Sequence, residues 1–264
     1  MPFTLAHAAA AYPLRRTRLV LSALIFGTFG PDLEFFLRFA PKGPFGHSPR
    51  GLFFFCLPAA FGAFWIFHDL VKEPLAAVMP RAVRERIAPG VYPMSLRQPL
   101  QLGLVLVSIL IGSLTHDLWD SFTHDHRWPG ANVAFIHLAF VLPVVGQVHL
   151  YKILQYVSTA LGLVILYVWF RHWLRTAPVQ PYPAGSSVSP SQARTARKMI
   201  PLVAVLAGLA RAFIGVHHFN TPRGIEVWVG FFVVATISFA WVELMLWGFT
   251  LPVRYADDVV PAKQ

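Results

Sequence analysis

Residues 99–115 read PLQLGLVLVSILIGSLT and contain no charged side chain, and HDLWDSFTH follows directly at residues 116–124. With its polar ends reaching the interface, this run approaches the roughly 20 residues that a helix needs to cross a bilayer. The run therefore predicts a transmembrane helix. Ionisable groups return abruptly at its end, and they need a separate explanation because such groups are costly beside lipid.

The rest of the chain is similarly apolar. Hydrophobic residues make up 56% of the 264 residues and charged residues only 13%, whereas a soluble domain carries about a quarter charged residues. Residues 133–150 are apolar but short and broken by Pro143 and Gly146, which predicts a re-entrant or interfacial segment. The composition indicates an all-α polytopic integral membrane protein with about five or six transmembrane or re-entrant helices. Further apolar runs occur at residues 52–67, 153–170, 199–216 and 227–242.

One segment breaks this pattern and predicts a domain boundary. The stretch PVQPYPAGSSVSPSQA at residues 178–193 is rich in Pro and Ser and has no apolar periodicity. We therefore expect a flexible cytoplasmic linker at 177–198. It would separate a membrane-embedded metal-site domain at 1–176 from a C-terminal transmembrane helix pair and tail at 199–264.

The distribution of Lys and Arg predicts the orientation in the membrane. The loops at 72–97 and 171–198 carry five cations each, whereas residues 116–152 carry only two. The positive-inside rule places the two basic loops in the cytoplasm of a cell whose inner membrane holds the protein, and places 116–124 on the extracytoplasmic side. The net charge is +10, and the basic residues lie in loops beside the hydrophobic runs. This distribution predicts contact with membrane lipids and not with nucleic acid.

The N-terminal forty residues predict a helical hairpin. The segment PFTLAHAAAAY begins a short helix with Thr4 as a possible N-cap, and LVLSALIFGTFG forms a second helix that ends at Gly30-Pro31. This arrangement would return Asp32 to the level of His7.

Histidine and carboxylate residues near the membrane ends predict a metal site. On a helix, positions i, i+4 and i+8 share a face, which places His116, Asp120 and His124 together. A mixed set of His, Asp and Glu suits zinc first, and also manganese, iron or magnesium. The competing interpretation is that each histidine only hydrogen-bonds headgroups or water at the interface.

Several motifs together resemble a bacterial membrane family catalogued as domain of unknown function 4184, over roughly residues 2 to 175. Their order is also similar to that of inner-membrane metal-dependent hydrolases related to zinc-dependent phospholipase C. Those hydrolases have an early His, a PD-x-D-H motif, a T-H-S motif and a G-x-x-x-H-x-x-x-D-x-x-T motif. The segments that carry the resemblance are PFTLAHAAA, GPDLEFFLR, FGHSPRGL, GSLTHDLWDSFTH and YKILQYVSTALG.

This second resemblance implies roles for individual residues. His7 would be the early histidine, Asp32 and Glu34 would take the two acidic places, and His47 would match the histidine of the second motif. The chain departs from the pattern at Phe35, which stands where a histidine is expected, and at Gly46, which replaces a threonine. The last motif is complete, with Gly112, His116, Asp120 and Thr123.

These observations together predict a membrane-embedded metal-dependent hydrolase that acts on a lipid-like ester or phosphoester. Glu34 is the expected catalytic base, on the assumption that the chain stays non-helical from Gly30 to Glu34. Two alternatives stay open, namely a metal-dependent prenyl diphosphate transferase or cyclase, and a non-enzymatic membrane scaffold or transporter. The expected metal ligands are His7, Asp32, His47, His116, Asp120 and His124.

Overall fold

A computed structural model describes residues 3–87, 96, 98–125, 127, 129–143, 146–180, 188–216 and 222–251. Residues 181–187 of the predicted linker and residues 252–264 of the predicted tail lie outside the described residues.

Helices dominate the described chain. Three short 3-10 helices lie at Thr4–Ala10, Gly130–Asn132 and Ala134–His137. Two segments in π-helical geometry, Leu52–Cys56 and Phe67–Val71, lie inside one continuous helix at Pro49–Val78. The α-helices are α1 (Ala11–Leu14), α2 (Leu21–Phe29), α3 (Leu33–Arg38), α4 (Pro49–Gly51), α5 (Leu57–Ile66), α6 (Lys72–Val78), α7 (Arg81–Ile87), α8 (Pro99–Thr123), α9 (Leu150–Thr176), α10 (Pro190–Gly215) and α11 (Pro222–Phe249).

Five of the described helical segments are long and apolar enough to cross a membrane. Large apolar side chains on their outer faces are exposed, as on α9 at Tyr156, Leu161 and Val164. An exposed apolar helix face is expected where lipid and not water is the solvent. The prediction of an all-α polytopic membrane protein is therefore confirmed. The five segments are Pro49–Val78, Pro99–Thr123, Leu150–Thr176, Pro190–Gly215 and Gly224–Phe249.

Two segments have local structure that the sequence did not predict. Residues 139–149, expected to be re-entrant or interfacial, contain an antiparallel hairpin of β1 (Ala139–Leu142) and β2 (Gly146–His149), with Ala139 opposite His149. Gly146 has a φ of +80°, which suits glycine and closes the turn. The second difference is that α10 begins at Pro190 with Ser189 as a capping-box residue, so the last part of the predicted linker is helical.

The chain divides into two compact units, the first of which comprises Met1–Leu33, Gly43–Phe61 and Arg97–Trp173. In this unit α2 packs closely on α8 through small residues. A Cβ atom added to Gly27 would meet the backbone of Ile109, and one added to Gly112 would meet the backbone of Leu24 and Thr28. The Ser113 hydroxyl donates to the Gly27 carbonyl at 3.0 Å. Small residues allow such close approach of two helices in a membrane, and they fix the register of α2 against α8.

The second unit comprises Glu34–Lys42, Gly62–Leu96 and Leu174–Gln264. Its main contact is between α10 and α11, where Gly208 lies against Thr236 and Phe232. The Arg211 guanidinium lies 4.7 Å from the centre of the Phe231 ring. A buried apolar cluster in this unit contains Ala40, Ala212, Val216 and Phe231.

Candidate metal centre

Four separate segments of the first unit bring three histidines and two aspartates together. His7 lies in the 3-10 helix Thr4–Ala10, Asp32 follows α2, and His47 precedes α4. His116 and Asp120 lie one turn apart near the end of α8. The side chains of Asp32, His116 and Asp120 are fully buried, and those of His7 and His47 are 2% and 4% exposed. The predicted hairpin therefore does return Asp32 to the level of His7.

The imidazole Nε2 atoms of this cluster point at carboxylate oxygens. His7 Nε2 lies 3.4 Å from Asp120 Oδ1. His47 Nε2 lies 3.3 Å from Asp32 Oδ1 and 3.6 Å from Asp120 Oδ2. His116 Nε2 lies 3.7 Å from Asp32 Oδ1 and 3.5 Å from Asp120 Oδ2. The rings of His7 and His116 are stacked with centroids 3.8 Å apart.

These distances suit ligands of one cation better than hydrogen-bonded pairs. An N–H···O hydrogen bond spans roughly 2.7–3.2 Å, whereas two ligands of a tetrahedral zinc ion lie about 3.3–3.6 Å apart. Within the described residues, His7 Nε2, His116 Nε2 and Asp32 Oδ1 are buried and have no hydrogen-bond partner. Buried polar atoms without partners are costly, so their convergence on one point indicates a bound group.

Two sets of three residues have ligand atoms that all lie within 4.8 Å of one another. One set is His7, His116 and Asp120, and the other is Asp32, His47 and His116. His116 belongs to both sets and therefore lies at the centre of the cluster. The sequence predicted all five of these residues as ligands.

Backbone carbonyls orient two of the histidines. His116 Nδ1 donates to the Thr28 carbonyl at 2.7 Å, and His47 Nδ1 donates to the Gly43 carbonyl at 3.1 Å. A carbonyl oxygen only accepts, so each Nδ1 carries the proton. Each Nε2 is then left with the lone pair that a metal requires.

The two carboxylates are oriented by side chains. The Thr4 hydroxyl donates to Asp32 Oδ2 at 2.6 Å, which turns Oδ1 towards His47 and His116. Arg127 Nη1 donates to Asp120 Oδ2 at 2.7 Å. The expectation that Thr4 caps the first helix is wrong, because Phe3 occupies the N-cap position and the Thr4 hydroxyl bonds Asp32.

The segment around His47 is held by close backbone contacts. A Cβ atom at Gly46 would meet the Pro31 carbonyl, and the Cys56 thiol donates to the Gly46 carbonyl at 3.0 Å. These contacts place His47 beside Asp32. A side chain at residue 46 would displace the Pro31 backbone, so this close approach requires glycine.

Burial affects the protonation of the groups outside the spanning helices. It lowers the pKa of His7 below its ordinary value. Burial also lowers the pKa of His124 to about 4. Burial alone would raise the pKa of Asp32, but the neighbouring imidazoles of His116 and His47 lower it overall. At neutral pH the cluster therefore offers neutral imidazole on His7 and carboxylate on Asp32, which are the forms that bind cations.

Two predicted site residues are placed differently from these five. α8 ends at Thr123, and His124 adopts extended backbone with its Nδ1 2.9 Å from the Asp120 carbonyl. His124 belongs to neither set of three within the described residues. Its Nδ1 lies 3.8 Å from Asp120 Oδ2, so it is a neighbour of the cluster. A role as ligand stays a prediction.

Glu34 lies in the second unit and pairs with Arg38 one turn later. Its Oε1 accepts from Arg38 Nη2 at 2.9 Å and from Nε at 3.1 Å. The assumption that the chain is non-helical through Glu34 is wrong, because α3 begins at Leu33. Phe35, at the position where a histidine was expected, is a buried apolar residue. A role of Glu34 as a catalytic base stays a prediction.

Two side chains that orient the candidate ligands, Thr4 and Arg127, were not predicted as site residues. Thr4 lies three residues before His7, a spacing that puts both on one face of a 3-10 helix. Arg127 lies one short turn beyond the end of α8. Neither is recognisable as a site residue from residue type alone, although proximity to two predicted ligands was a signal.

Replacing Thr4 with Val tests the orienting hydrogen bond on Asp32. We expect Thr4→Val to weaken zinc binding about tenfold, because partners of metal ligands typically contribute at least that much to affinity. The affinity is measured by competition with a zinc-chelating dye in detergent. Thr17→Val is the matched control, since the Thr17 hydroxyl donates to the Leu14 carbonyl on the exposed surface. Equal zinc affinity in the two variants would contradict the assignment.

The chain matches the model of a family described as Domain of unknown function (DUF4184) over residues 1–249. No curated protein and no solved structure matches the chain. The match extends past the region of resemblance seen in the sequence and includes α10 and α11. Because it covers nearly all of the 264 residues, the protein belongs to the DUF4184 family.

Proposed function

We propose that the protein is a membrane-embedded metal-dependent hydrolase that acts on a lipid-like ester or phosphoester. One observation supports this proposal above the others. Three imidazoles and two carboxylates converge at 3.3–3.7 Å in the buried interior of the first unit, where ionisable groups are otherwise costly.

The donor set fits a divalent cation, and zinc best. Imidazole nitrogen suits zinc, whereas magnesium prefers a shell of oxygen ligands. The Nδ1 bonds of His116 and His47 to carbonyls match the orientation that metal-binding histidines usually have. The residues that would hold the cation are His7, Asp32, His47, His116 and Asp120.

The chemistry of hydrolysis follows from this set of residues. When bound, a divalent cation supplies a Lewis acid for an ester or phosphoester oxygen and lowers the pKa of a coordinated water towards neutrality. The Thr28 and Gly43 carbonyls keep both Nδ1 protons in place, so the imidazoles stay oriented without reorganisation. Asp32 and Asp120 contribute negative charge to a site from which bulk water is largely excluded.

The surroundings of the site favour an amphiphilic substrate. The exposed surface of α8 near His116 and Asp120 includes Leu114, Leu118 and Trp119, which are 52%, 55% and 47% exposed. Lipid that contacts this surface lies at the same level of the helix as the cluster. A substrate that partitions into the membrane would therefore reach the site at high local concentration.

The proposed location of the protein follows from the distribution of Lys and Arg. We place the protein in the inner membrane with the cluster on the extracytoplasmic side, because the loops richest in Lys and Arg belong on the cytoplasmic side. Membrane lipids would be its surroundings and a lipid-like small molecule its substrate.

The proposed activity is tested on protein purified in detergent. We expect stoichiometric metal by elemental analysis, and metal-dependent release of product from a panel of lipid phosphoesters and carboxylic esters followed by mass spectrometry. Treatment with a chelator should abolish turnover and added zinc should restore it, because the cation supplies the Lewis acid. Metal-loaded protein that turns over none of these esters would contradict the proposal and favour the transferase or scaffold alternatives.

A variant at Glu34 separates the base from the cation in the same assay. Glu34→Gln should retain the metal, because Glu34 pairs with Arg38 and belongs to neither set of ligands. If Glu34 is the base, turnover is lost because an amide does not accept the proton. Full turnover would assign the base to another residue and leave the hydrolase proposal intact.

A further inference from the structure

We propose that Arg127 binds an anionic oxygen of the substrate, so that the substrate is a phosphoester and not a neutral carboxylic ester. This inference rests on the proposed function, which it narrows to one substrate class.

Arg127 lies at the open edge of the cluster. Its side chain is 27% exposed and that of His124 is 21% exposed, whereas the five converging side chains are at most 4% exposed. Arg127 Nη1 still reaches the buried Asp120 Oδ2 at 2.7 Å. One guanidinium therefore contacts both the buried cluster and the solvent. A substrate would enter the site at this exposed edge.

The guanidinium has donors to spare. It carries five N–H donors in a planar fork that matches the oxygens of a phosphate. Within the described part of the chain, Asp120 is the partner of the one hydrogen bond that the Arg127 side chain makes. A phosphate oxygen bound by the remaining donors would be close to Asp120 and the cluster.

The charges favour an anion at this edge. The carboxylates of Asp32 and Asp120 balance the two charges of a divalent cation, which leaves the guanidinium charge in excess. Asp117, half-buried on α8, lies within electrostatic reach of Arg127 and offsets part of it. A neutral ester gains little from this charge, whereas a phosphate oxygen forms stronger, charge-assisted hydrogen bonds with the guanidinium.

Orthophosphate is the first probe, with binding measured by isothermal titration calorimetry on zinc-loaded protein in detergent. We expect Arg127→Gln to weaken phosphate binding about tenfold or more, since one charge-assisted hydrogen bond typically contributes that factor. Arg127→Lys keeps the charge but not the planar fork, so its phosphate affinity should lie between those of the unmodified protein and Arg127→Gln. Asp117→Asn should strengthen binding, because it removes a neighbouring negative charge. Arg81→Gln is the matched control, because it removes an Arg–Glu pair on the exposed α7.

All samples are saturated with zinc and their zinc content is measured, because Arg127 also bonds Asp120 and its replacement is expected to weaken zinc binding. Arg127→Gln protein that keeps its zinc and loses phosphate supports the inference. If wild-type protein does not bind phosphate, or if Arg127→Gln binds it as tightly as Arg81→Gln, the inference is wrong. Turnover of carboxylic esters by that same wild-type protein would leave the proposed hydrolase standing.

A second pair of probes identifies the source of the phosphate. Dihexanoyl phosphatidic acid and glycerol 3-phosphate carry the same phosphomonoester with and without acyl chains. Tighter binding of the acylated probe, lost in Arg127→Gln, supports a lipid phosphoester. Equal binding of both probes, lost in the same variant, supports a water-soluble phosphoester. Binding of both probes that is unchanged in Arg127→Gln would overturn the role of Arg127.

Discussion

His116→Ala protein should lose its metal. His116 is shared by both sets of converging ligands, and its Nε2 lies 3.5 Å from Asp120 and 3.7 Å from Asp32. We expect zinc affinity to fall by more than about 100-fold, because even residues that only orient a ligand contribute roughly 10- to 100-fold. Zinc per protein chain after gel filtration measures the effect, and hydrolysis should fall with it.

The control for this experiment is His172→Ala. His172 lies near the end of α9 and is exposed, so its removal should leave zinc content unchanged. Asp120→Ala should reproduce the loss seen in His116→Ala, because Asp120 is the other residue of α8 in the cluster. Retention of all zinc by both α8 variants would rule out the metal centre.

Gly112→Ala should disrupt the first unit. A Cβ atom at residue 112 would meet the backbone oxygen of Leu24 and the backbone nitrogen of Thr28. Backbone atoms move only if α2 moves, so we expect a loss of about 3 kcal/mol in the free energy of unfolding. The melting temperature in detergent should fall by about 6–12 °C.

The same substitution elsewhere on α8 provides the matched control. Among the described residues, no neighbouring atom lies within 4 Å of a Cβ added at Gly103, so Gly103→Ala should melt at or slightly above the temperature of the unmodified protein. Gly112→Ala should also bind zinc more weakly, because displacement of α2 moves the Thr28 carbonyl away from His116 Nδ1. Equal melting temperatures for the two alanine variants would show that α2 and α8 do not need this close approach.

The sequence predicted that these side chains lie together because their geometry is local or nearly so. Helical spacing alone puts His116 and Asp120 on one face, and the short N-terminal hairpin returns Asp32 to His7. The structure also places Gly112 on this face. Because Gly112 has no side chain, α2 approaches closely enough for the Thr28 carbonyl to accept a hydrogen bond from His116 Nδ1.

Other features depend on choices that the sequence leaves open. Proline is tolerated at the start of a helix, so Gly30-Pro31 did not keep Glu34 out of α3, where an acid in the first turn is favourable. Pro143 and Gly146 were interpreted as breaks in an apolar segment, and the structure shows that Pro143 follows β1 and Gly146 begins β2 of a hairpin. The roles of Thr4 and Arg127 depend on contacts between segments and follow only from the folded chain.

The wide spacing of the five candidate metal ligands along the chain has a mechanical consequence. They come from four segments between His7 and Asp120, and the one cysteine of the chain cannot form an internal disulfide. A cation bound to all four segments would act as a cross-link that closes several loops at once, which reduces the entropy of the unfolded chain. Resistance of the N-terminal 3-10 helix to proteolysis would then depend on the concentration of free zinc, so that the ion would tie the start of the chain to the end of α8.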